Sequence, residues 1–221
     1  MFTGLIERTG TVKKFFQSGE FFTLTIEAEN FSGELIKGQS VSVSGACLTV
    51  TRNDLHSFDV QMMRETFNRT WFGKSLRAGT KINLERAMKL TDRLDGHLVL
   101  GHVDGIAKLI DIKGTATKEA VFSPEDKNLL RGIVSKGSVA IDGISLTVIN
   151  VNDKNFSVGL IPETLTQTTL GNLKPGNFIN LETDILGKYV ARLTYLPAGT
   201  AGYNENENKK SGNYLASLLE N

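Results

Sequence analysis

The chain has 221 residues, of which 40% are hydrophobic and 22 are glycine, so it can bury one large core or two smaller ones while making many tight turns. Its 25 basic and 24 acidic side chains nearly cancel to a net charge of +1, which leaves no large basic field to bind nucleic acid. The single cysteine, Cys47, excludes an internal disulfide and suits a reducing compartment. The sequence has no signal-peptide pattern and no apolar run long enough to span a membrane, so we expect a soluble, cytoplasmic protein.

Short stretches of alternating apolar and polar residues recur along the chain and predict β-strands. In the first half they are FTLTIE (22–27), SVSVSG (40–45), LTVT (48–51), SFDVQ (57–61) and KINLE (81–85). In the second half they are SVAID (138–142), SLTVINV (145–151) and FSVGL (156–160). Two further stretches, 64–73 and 162–171, are each expected to hold a short helical turn capped by Thr. Many short strands separated by turn signals predict small closed β-barrels, which leave no unpaired edge.

The two halves of the chain repeat each other. When residues 44–73 are aligned with residues 142–171, ten of the thirty positions are identical, and LRAGTKINLE (76–85) then matches LKPGNFINLE (173–182). The chain start also matches, with TGLI from Thr3 resembling DGIA from Asp104 at a spacing of 101. The chain is therefore predicted to consist of two copies of one barrel, at 1–97 and 98–185, followed by a unique tail.

The tail changes to a helical period. In residues 184–196 the apolar residues Ile185, Leu186, Tyr189, Val190, Leu193 and Leu196 recur at helical spacing. The helix either folds back on its own barrel or associates with the same helix in other subunits, and the narrow stripe favours association. Residues 200–213 are polar, and YLASLLE (214–220) is expected to form a short helix.

Familiar catalytic signatures are absent from the sequence, including phosphate-binding loops and the G-x-S-x-G motif. His97 and His102 are five residues apart, which in a strand would place them on opposite faces, so we predict no shared metal. His56 lies in a turn-like stretch and is expected to face water.

The two repeats differ in their chemical groups. At the spacing of 101, His102 has Met1 as its counterpart, so a titratable group is present in only one copy. His102 is either a surface residue or a proton-transfer group. Cys47 and Ser145 occupy equivalent positions, and Thr49 and Thr147 point to the same side two residues further along each strand. These pairs are either ordinary strand residues or polar groups that contact a flat, hydrogen-bonding ligand.

Six fragments in order carry a resemblance to a known family: MFTGLIE, GACLTV, GHLVLGHVDG, IDGISLTV, IPET and LETDILGKY. Together they resemble the riboflavin synthase α-chain family over about residues 1–196. The resemblance implies an all-β fold of two tandem, homologous six-stranded Greek-key β-barrels followed by a C-terminal α-helix. It implies lumazine-binding barrels at 1–97 and 98–185, and a trimerisation helix with a polar tail at 186–221.

The family's reaction is a dismutation without a cofactor or metal. Two molecules of 6,7-dimethyl-8-ribityllumazine exchange a four-carbon unit and give riboflavin and 5-amino-6-ribitylaminouracil. Such a reaction needs two similar pockets, one for the donor and one for the acceptor, which would explain the repeat. The resemblance also implies a homotrimer in which the substrates meet between barrels of neighbouring subunits. The sequence leaves open whether the chain associates with lumazine synthase.

The resemblance implies two sets of substrate-binding residues. The first pocket would be lined by Gly4, Leu5, Ile6, Cys47, Leu48, Thr49, Gln61, Met62, Met63, Arg64, Glu65 and Thr66. The second would be lined by Gly101, His102, Val103, Lys136, Ser145, Leu146, Thr147, Ile161, Pro162, Glu163, Thr164, Leu165 and Thr166. Backbone groups at 61–66 and 161–166 would read the pyrimidine edge, and Ser, Thr and Lys side chains would reach the ribityl hydroxyls.

The chemistry needs a base, because the C7 methyl group of the donor is acidic, and a nucleophile that adds to C7 of the acceptor. His102 is our candidate for proton transfer. The other candidate catalytic residues are Ser40, Cys47, Thr147 and Asp184 for polarising or adding to the ring, Ser145 for positioning, Phe2 for packing over the ring, and His97 without an assigned role.

The main alternative is a non-catalytic antenna protein that binds lumazine or flavin on the same fold. GHVDG, IPET and TDILGKY all stand in the synthase form, which favours the enzyme. A flavin-reductase barrel is less well supported, because the sequence has no R-x-Y-[ST] motif. The polar extension after Leu196 is longer than the usual ending of the family.

Overall fold

The computed structural model describes residues 1–115 and 117–194, and its strands form two closed, antiparallel, six-stranded barrels. The N-terminal barrel consists of β1 (Arg8–Ser18), β2 (Phe21–Glu27), β3 (Ser40–Val43), β4 (Ala46–Asn53), β5 (Ser57–Met63) and β6 (Lys81–Arg86). The C-terminal barrel consists of β7 (Gly105–Lys113), β8 (Lys118–Pro124), β9 (Ser138–Ile141), β10 (Ile144–Val151), β11 (Phe156–Leu160) and β12 (Phe178–Thr183). The order around the barrels is the same, β1-β2-β5-β4-β3-β6 and β7-β8-β11-β10-β9-β12. The predicted tandem barrels are confirmed.

Short helical segments connect the strands of each barrel. They are α1 (Arg64–Arg69), α2 (Phe72–Ser75), α3 (Pro162–Gln167) and 3-10 turns at Ser32–Glu34, Lys127–Gly132 and Thr169–Asn172. Thr168 caps the last of these turns, since its side chain accepts a hydrogen bond from the backbone N–H of Leu170. Thr168 also donates its hydroxyl proton to the Thr164 carbonyl, and in the first repeat Thr70 makes the equivalent bond to the Thr66 carbonyl at the end of α1. The predicted helical turns are therefore present, and each ends at a threonine that bonds the carbonyl four residues earlier.

The helix α4 (Ile185–Thr194) is the last described element. Its apolar residues Leu186, Tyr189, Val190 and Leu193 recur at the predicted helical spacing. Leu196, the polar stretch 200–213 and the expected helix 214–220 lie outside the described residues. No helix within 1–115 and 117–194 is long and apolar enough to cross a membrane.

Alternation along β4 separates the barrel core from the outer surface. Ala46, Leu48 and Val50 are buried in the core of the N-terminal barrel, whereas Cys47 is partly exposed and Thr49 is exposed. The equivalent strand β10 shows the same burial pattern, residue by residue. This period of two follows from the pleat of a strand, and it places polar side chains on the outer face of each barrel.

Four strands are not predicted by the alternation of the sequence: β1, β7, β8 and β12. In β1 the pairing register shifts between Val12 and Lys14, and in β7 it shifts between Leu109 and Asp111, so the side-chain pattern changes face within each strand. In β8 the apolar run hides the period. The strand β12 is located through the repeat instead, because LKPGNFINLE (173–182) matches the segment that contains β6.

A repeated hydrogen-bond pattern joins the two barrels. The side-chain amide of Asn83 donates to the carbonyl of Asp142 (3.0 Å), and the amide of the equivalent Asn180 donates to the carbonyl of Ser44 (2.8 Å). Each asparagine also accepts a backbone N–H from the helical turn of the opposite barrel, at 2.9 Å. Because these groups are buried, breaking one bond would leave an unpaired polar atom, which makes the barrel interface specific.

Asp142 is the charged member of this interface and is 3% exposed. Its Oδ1 accepts hydrogen bonds from the indole Nε1 of Trp71 and from the backbone N–H of Asn180, both at 2.8 Å. Burial raises the pKa of Asp142 to about 7, although these two hydrogen bonds act in the opposite direction.

We expect Asp142→Asn to change how stability depends on pH. The folded-state pKa of about 7 lies above the ordinary value of 3.8, so between these values the unfolded chain binds fewer protons and the wild-type protein loses stability as pH rises. Asn keeps the Oδ1 acceptor and removes the ionisation. The variant's advantage in unfolding free energy should therefore grow by up to about 1.4 kcal/mol per pH unit between pH 4.5 and 7.

The measurement is urea unfolding at a series of pH values. Asp54→Asn is the matched control, because Asp54 lies in a turn and hydrogen bonds from the backbone N–H groups of His56 and Ser57 lower its pKa. The difference in unfolding free energy between Asp54→Asn and wild type should not grow between pH 4.5 and 7. Parallel curves for wild type and Asp142→Asn would contradict the prediction.

Candidate active site

The outer face of the N-terminal barrel carries a polar cluster across three strands. Ser40 on β3 pairs with Thr49 on β4, and Thr49 pairs in turn with Gln61 on β5. Cys47 lies two residues before Thr49 on the same side of β4. These four candidate residues are therefore neighbours on one surface, as the sequence alignment predicted for Cys47 and Thr49.

The C-terminal barrel repeats this face with different side chains. Ser145 and Thr147 on β10 take the places of Cys47 and Thr49, and Thr147 pairs with Ser138 on β9. Ser138 is the counterpart of Ser40 and is not among the predicted site residues. The spacing of 98 residues that relates the two motifs would have found it.

Two segments outside the strands cross between the barrels. Phe2 and Val99 form an antiparallel bridge, with Phe2 N–H donating to Val99 O at 2.7 Å and Val99 N–H donating to Phe2 O at 3.1 Å. Beyond this bridge, the Gly4 carbonyl accepts from the backbone N–H of Ser145, and the Gly101 carbonyl accepts from that of Cys47, both at 2.8 Å. Each segment thus lies on the strand of the opposite barrel.

This crossing corrects the predicted composition of the two pockets. The resemblance implies one pocket with Gly4, Leu5, Ile6 and Cys47, but the segment of Gly4 is bonded to Ser145. It implies a second pocket with Gly101, His102, Val103 and Ser145, but the segment of Gly101 is bonded to Cys47. The apolar packing agrees, since Val103 joins the core cluster of the N-terminal barrel and Ile6 packs against that of the C-terminal barrel. Sequence order does not reveal the exchange.

Glycine is required at both crossing points. Gly4 and Gly101 have φ angles of +79° and +78°, in the left-handed region. A Cβ at Gly4 would lie 2.6 Å from the Cβ of Ser145, and a Cβ at Gly101 would lie 2.6 Å from the Cβ of Cys47. Both the backbone conformation and the close approach exclude a larger residue.

The structure also corrects the alignment of the chain start. Gly4 and Gly101 make the same contacts and are 97 residues apart, so the counterpart of His102 is Leu5 rather than Met1. Both side chains are exposed next to the polar faces. The chemical asymmetry predicted for His102 therefore remains, as a histidine beside Cys47 and a leucine beside Ser145.

His97 gives the C-terminal face a second distinctive feature. Its Nδ1 lies 2.6 Å from the hydroxyl oxygen of Ser145, and the residue is 8% exposed. Burial lowers the pKa of His97, while the negative charge of Asp184 acts against this shift. A neutral imidazole with its proton on Nε2 can accept the hydroxyl proton of Ser145 at Nδ1. This arrangement can orient the serine and increase its basicity toward a ligand.

Neither His97 nor His102 lies in a strand, so their spacing of five residues does not place their side chains on opposite faces. Among residues 1–115 and 117–194, no group of three or more His, Cys, Asp or Glu side chains is arranged to hold a metal. His56 is exposed in the turn between β4 and β5, as expected.

Several side chains that were predicted to contact a ligand point away from the two polar faces. Phe2 was expected to pack over a substrate ring, but its side chain is fully buried in a small apolar cluster with Val99 and Ala140. Leu48, Leu146 and Met62 were expected to line pockets, but their side chains belong to the barrel cores and are only 2–7% exposed. Only their backbone can face a ligand, because adjacent residues of a strand point to opposite sides.

The remaining predicted residues lie where β5 and β11 lead into α1 and α3. In the first barrel, Gln61, Met63, Arg64 and Glu65 are exposed and Thr66 is half-buried. In the second barrel the exposed residues are Ile161, Pro162, Glu163 and Thr166, with Thr164 and Leu165 half-buried. Lys136 is exposed, and its backbone N–H bonds to the carbonyl of Val148 next to Thr147. These segments border the two polar faces.

A separate open groove of about 570 Å³ lies on the N-terminal barrel. It is lined by Lys13, Lys14, Phe16, Thr25, Arg52, Asp54, Ser57, Phe58 and Asp59. None of the predicted site residues belongs to it, so it is distinct from the face at Cys47.

We expect Gly101→Ala to destabilise the protein more than Gly79→Ala does. Gly79 is the matched control, because its φ is +85° and an added Cβ would have no neighbour within 4 Å. Both variants incur the left-handed cost of about 1 kcal/mol. Gly101→Ala should add about 1–3 kcal/mol, because its Cβ forces the segment away from Cys47. Urea unfolding would measure both, and equal losses would contradict the close approach.

Comparison with known proteins identifies the family. The lumazine binding domain matches the chain twice, at residues 3–87 and 100–184, which aligns Gly4 with Gly101. Riboflavin synthase of Brucella abortus is 41% identical over 87% of this chain and 98% of that protein. Riboflavin synthase of Actinobacillus pleuropneumoniae is 40% identical over 86% of this chain and 88% of that protein. A crystal structure of LumP complexed with riboflavin matches with a TM-score of 0.74 and 26% identity, covering 83% of this chain and 99% of that chain.

The identity to LumP is well below the identity to the synthases, which favours the enzyme over the antenna protein. The chain has two barrels with equivalent polar faces, two matches to the lumazine binding domain, and relatives of about 40% identity over most of its length. It therefore belongs to the riboflavin synthase family.

Proposed function

We propose that the chain converts two molecules of 6,7-dimethyl-8-ribityllumazine into riboflavin and 5-amino-6-ribitylaminouracil by transfer of a four-carbon unit. The observation that carries this proposal is the pair of equivalent faces on one chain. Each face has a glycine segment bonded at 2.8 Å to the backbone of the opposite barrel, at Cys47 in one case and at Ser145 in the other. A reaction between two identical molecules needs two such similar binding sites.

The difference between the faces supplies the two roles of the reaction. On the N-terminal barrel, the exposed His102 lies on the segment next to Cys47 and Thr49 and transfers the proton of the C7 methyl group. On the C-terminal barrel, the hydroxyl of Ser145 bonds to the buried His97, and Leu5 stands where the first face has His102. One substrate is thereby deprotonated while the other is held beside a serine of increased basicity.

The other candidate catalytic residues act on the ring. On the first face Cys47 and Ser40 are placed to polarise the ring of the deprotonated substrate. On the second face Thr147 is placed to polarise the ring or to add to it at C7. The negative charge of Asp184 acts on His97 instead, where it opposes the lowering of the pKa by burial.

Substrate recognition uses the segments that border each face. The backbone at 61–66 and at 161–166 reads the pyrimidine edge of the bound ring, and Lys136 with nearby hydroxyl groups reaches the ribityl chain. Hydrogen bonds between neutral groups contribute about 1 kcal/mol each, so recognition depends on several of them together.

We place the reaction in a cytoplasmic homotrimer, at the contact between the N-terminal barrel of one subunit and the C-terminal barrel of the next. Two observations support this. Thr49 and Thr147, in the middle of the two faces, are exposed in the single chain. The apolar residues Leu186, Tyr189, Val190 and Leu193 of α4 are 60–70% exposed and suit contact with other subunits. Holding two rings face to face would lower the barrier by several kcal/mol.

The stoichiometry of the reaction, measured with the purified protein, tests this proposal. Supplied with 6,7-dimethyl-8-ribityllumazine alone, it should consume two molecules for each riboflavin formed, measured by absorbance and chromatography. Tight binding without riboflavin formation would instead indicate an antenna protein.

His102→Gln should lower kcat by about 100-fold or more, because proton transfer by a positioned side chain contributes on this scale. Cys47→Ser should also lower turnover. His56→Gln is the control for the histidine, since His56 is exposed in a turn and belongs to neither face. Normal turnover in both His102→Gln and Cys47→Ser would refute the assigned chemistry.

A further inference from the structure

Two buried glutamates occupy equivalent places in the two barrels. Glu85 lies on β6 and Glu182 lies on β12, 97 residues apart, and each is 4% exposed. Carboxylates are rarely buried to this extent unless their oxygens are hydrogen-bonded.

Each carboxylate binds two successive backbone N–H groups of a crossing segment. Glu85 accepts from the N–H of Thr3 at 2.6 Å and from that of Gly4 at 3.1 Å, and it also accepts from the Thr3 hydroxyl at 2.8 Å. Glu182 accepts from the N–H of Leu100 at 2.8 Å and from that of Gly101 at 2.9 Å. Hydrogen bonds to an ionised carboxylate are about twice as strong as those between neutral groups.

The glutamate of one barrel thereby fixes the face of the other barrel. Glu182 belongs to the C-terminal barrel, yet Gly101, which it holds through the N–H, bonds through its carbonyl to Cys47 of the N-terminal barrel. Glu85 belongs to the N-terminal barrel, and Gly4 bonds through its carbonyl to Ser145 of the C-terminal barrel. Each glycine is held on both sides.

Burial raises the pKa of Glu85, and the hydrogen bonds from Thr3 and Gly4 act in the opposite direction. Burying the charge is therefore unfavourable, and a glutamine would avoid that cost. Glutamine has one acceptor oxygen, however, and its NH₂ group would face the second backbone N–H. A side chain with two acceptors is needed to hold both N–H groups at once.

We propose that Glu182 and Glu85 are positioning residues that set the two ligand sites separately, Glu182 by holding Gly101 and His102 against Cys47, and Glu85 by holding Gly4 and Leu5 against Ser145. The inference rests on the proposed function for the identity of these faces as ligand sites. It predicts that each glutamate affects the site of the barrel to which it does not belong.

Cys47 is the single cysteine of the chain and reports on the first site directly. We would measure its alkylation rate by iodoacetamide, with and without riboflavin, in wild type, Glu182→Gln and Glu85→Gln. Glu182→Gln should raise the rate roughly tenfold, because the loss of one charge-assisted bond frees the segment that covers Cys47. Riboflavin should no longer protect the thiol in this variant. Glu85→Gln should react like wild type and remain protected.

The reciprocal experiment uses Cys47→Ser combined with Ser145→Cys, which moves the thiol to the second face. In this background Glu85→Gln should raise the alkylation rate and Glu182→Gln should not. Such a crossed pattern is not expected from a general loss of stability, which would raise both rates together. Circular dichroism and thermal unfolding would verify that each variant is folded.

Equal effects of both glutamates on Cys47, or no effect of either, would overturn the inference. If wild-type Cys47 reacts at the same rate with and without saturating riboflavin, the assignment of the faces as ligand sites is wrong, and the proposed function fails at that point independently of the glutamates. If a variant does not fold, hydrogen exchange of the wild-type protein tests whether Glu182 holds these backbone N–H groups. The N–H groups of Leu100 and Gly101 should exchange slowly, and exchange as fast as an open loop would refute the contact.

Discussion

The structure depends on two glycine peptides that are hydrogen-bonded to both barrels. The N–H of Gly101 donates to Glu182 of the C-terminal barrel and its carbonyl accepts from Cys47 of the N-terminal barrel. Gly4 makes the mirrored pair of contacts with Glu85 and Ser145. A Cβ at either glycine would lie 2.6 Å from the opposite strand, so the approach is as close as the backbone allows. The two barrels therefore cannot shift without breaking bonds at both candidate sites.

This constraint explains how a duplicated barrel can keep one backbone frame and still perform two roles. The frame fixes where the variable side chains stand: Cys47 or Ser145 on the strand, and His102 or Leu5 on the crossing segment. His97 lies in the linker between the repeats and contacts Ser145. Donor and acceptor chemistry can thus differ while the shape of the two sites remains the same.

The sequence predicts those features that depend on neighbours along the chain. Alternation correctly gave β4 and β10 and the outward direction of Thr49 and Thr147, because a strand has a fixed period of two. It missed β1 because the pairing register shifts after Val12. The exchange of the glycine segments could not be predicted, since it depends on how the barrels pack. That packing also explains why Phe2 is buried instead of being available to a ligand.

A crystal structure of the protein with bound riboflavin tests the exchange of segments most directly. The arrangement predicts that a flavin on the N-terminal barrel lies within about 4 Å of both Cys47 and His102 of the same chain. A flavin on the C-terminal barrel should likewise contact Ser145 and Leu5 of one chain. A flavin that contacts Cys47 together with Leu5 of the same chain, with His102 of that chain on the other face, would contradict the account.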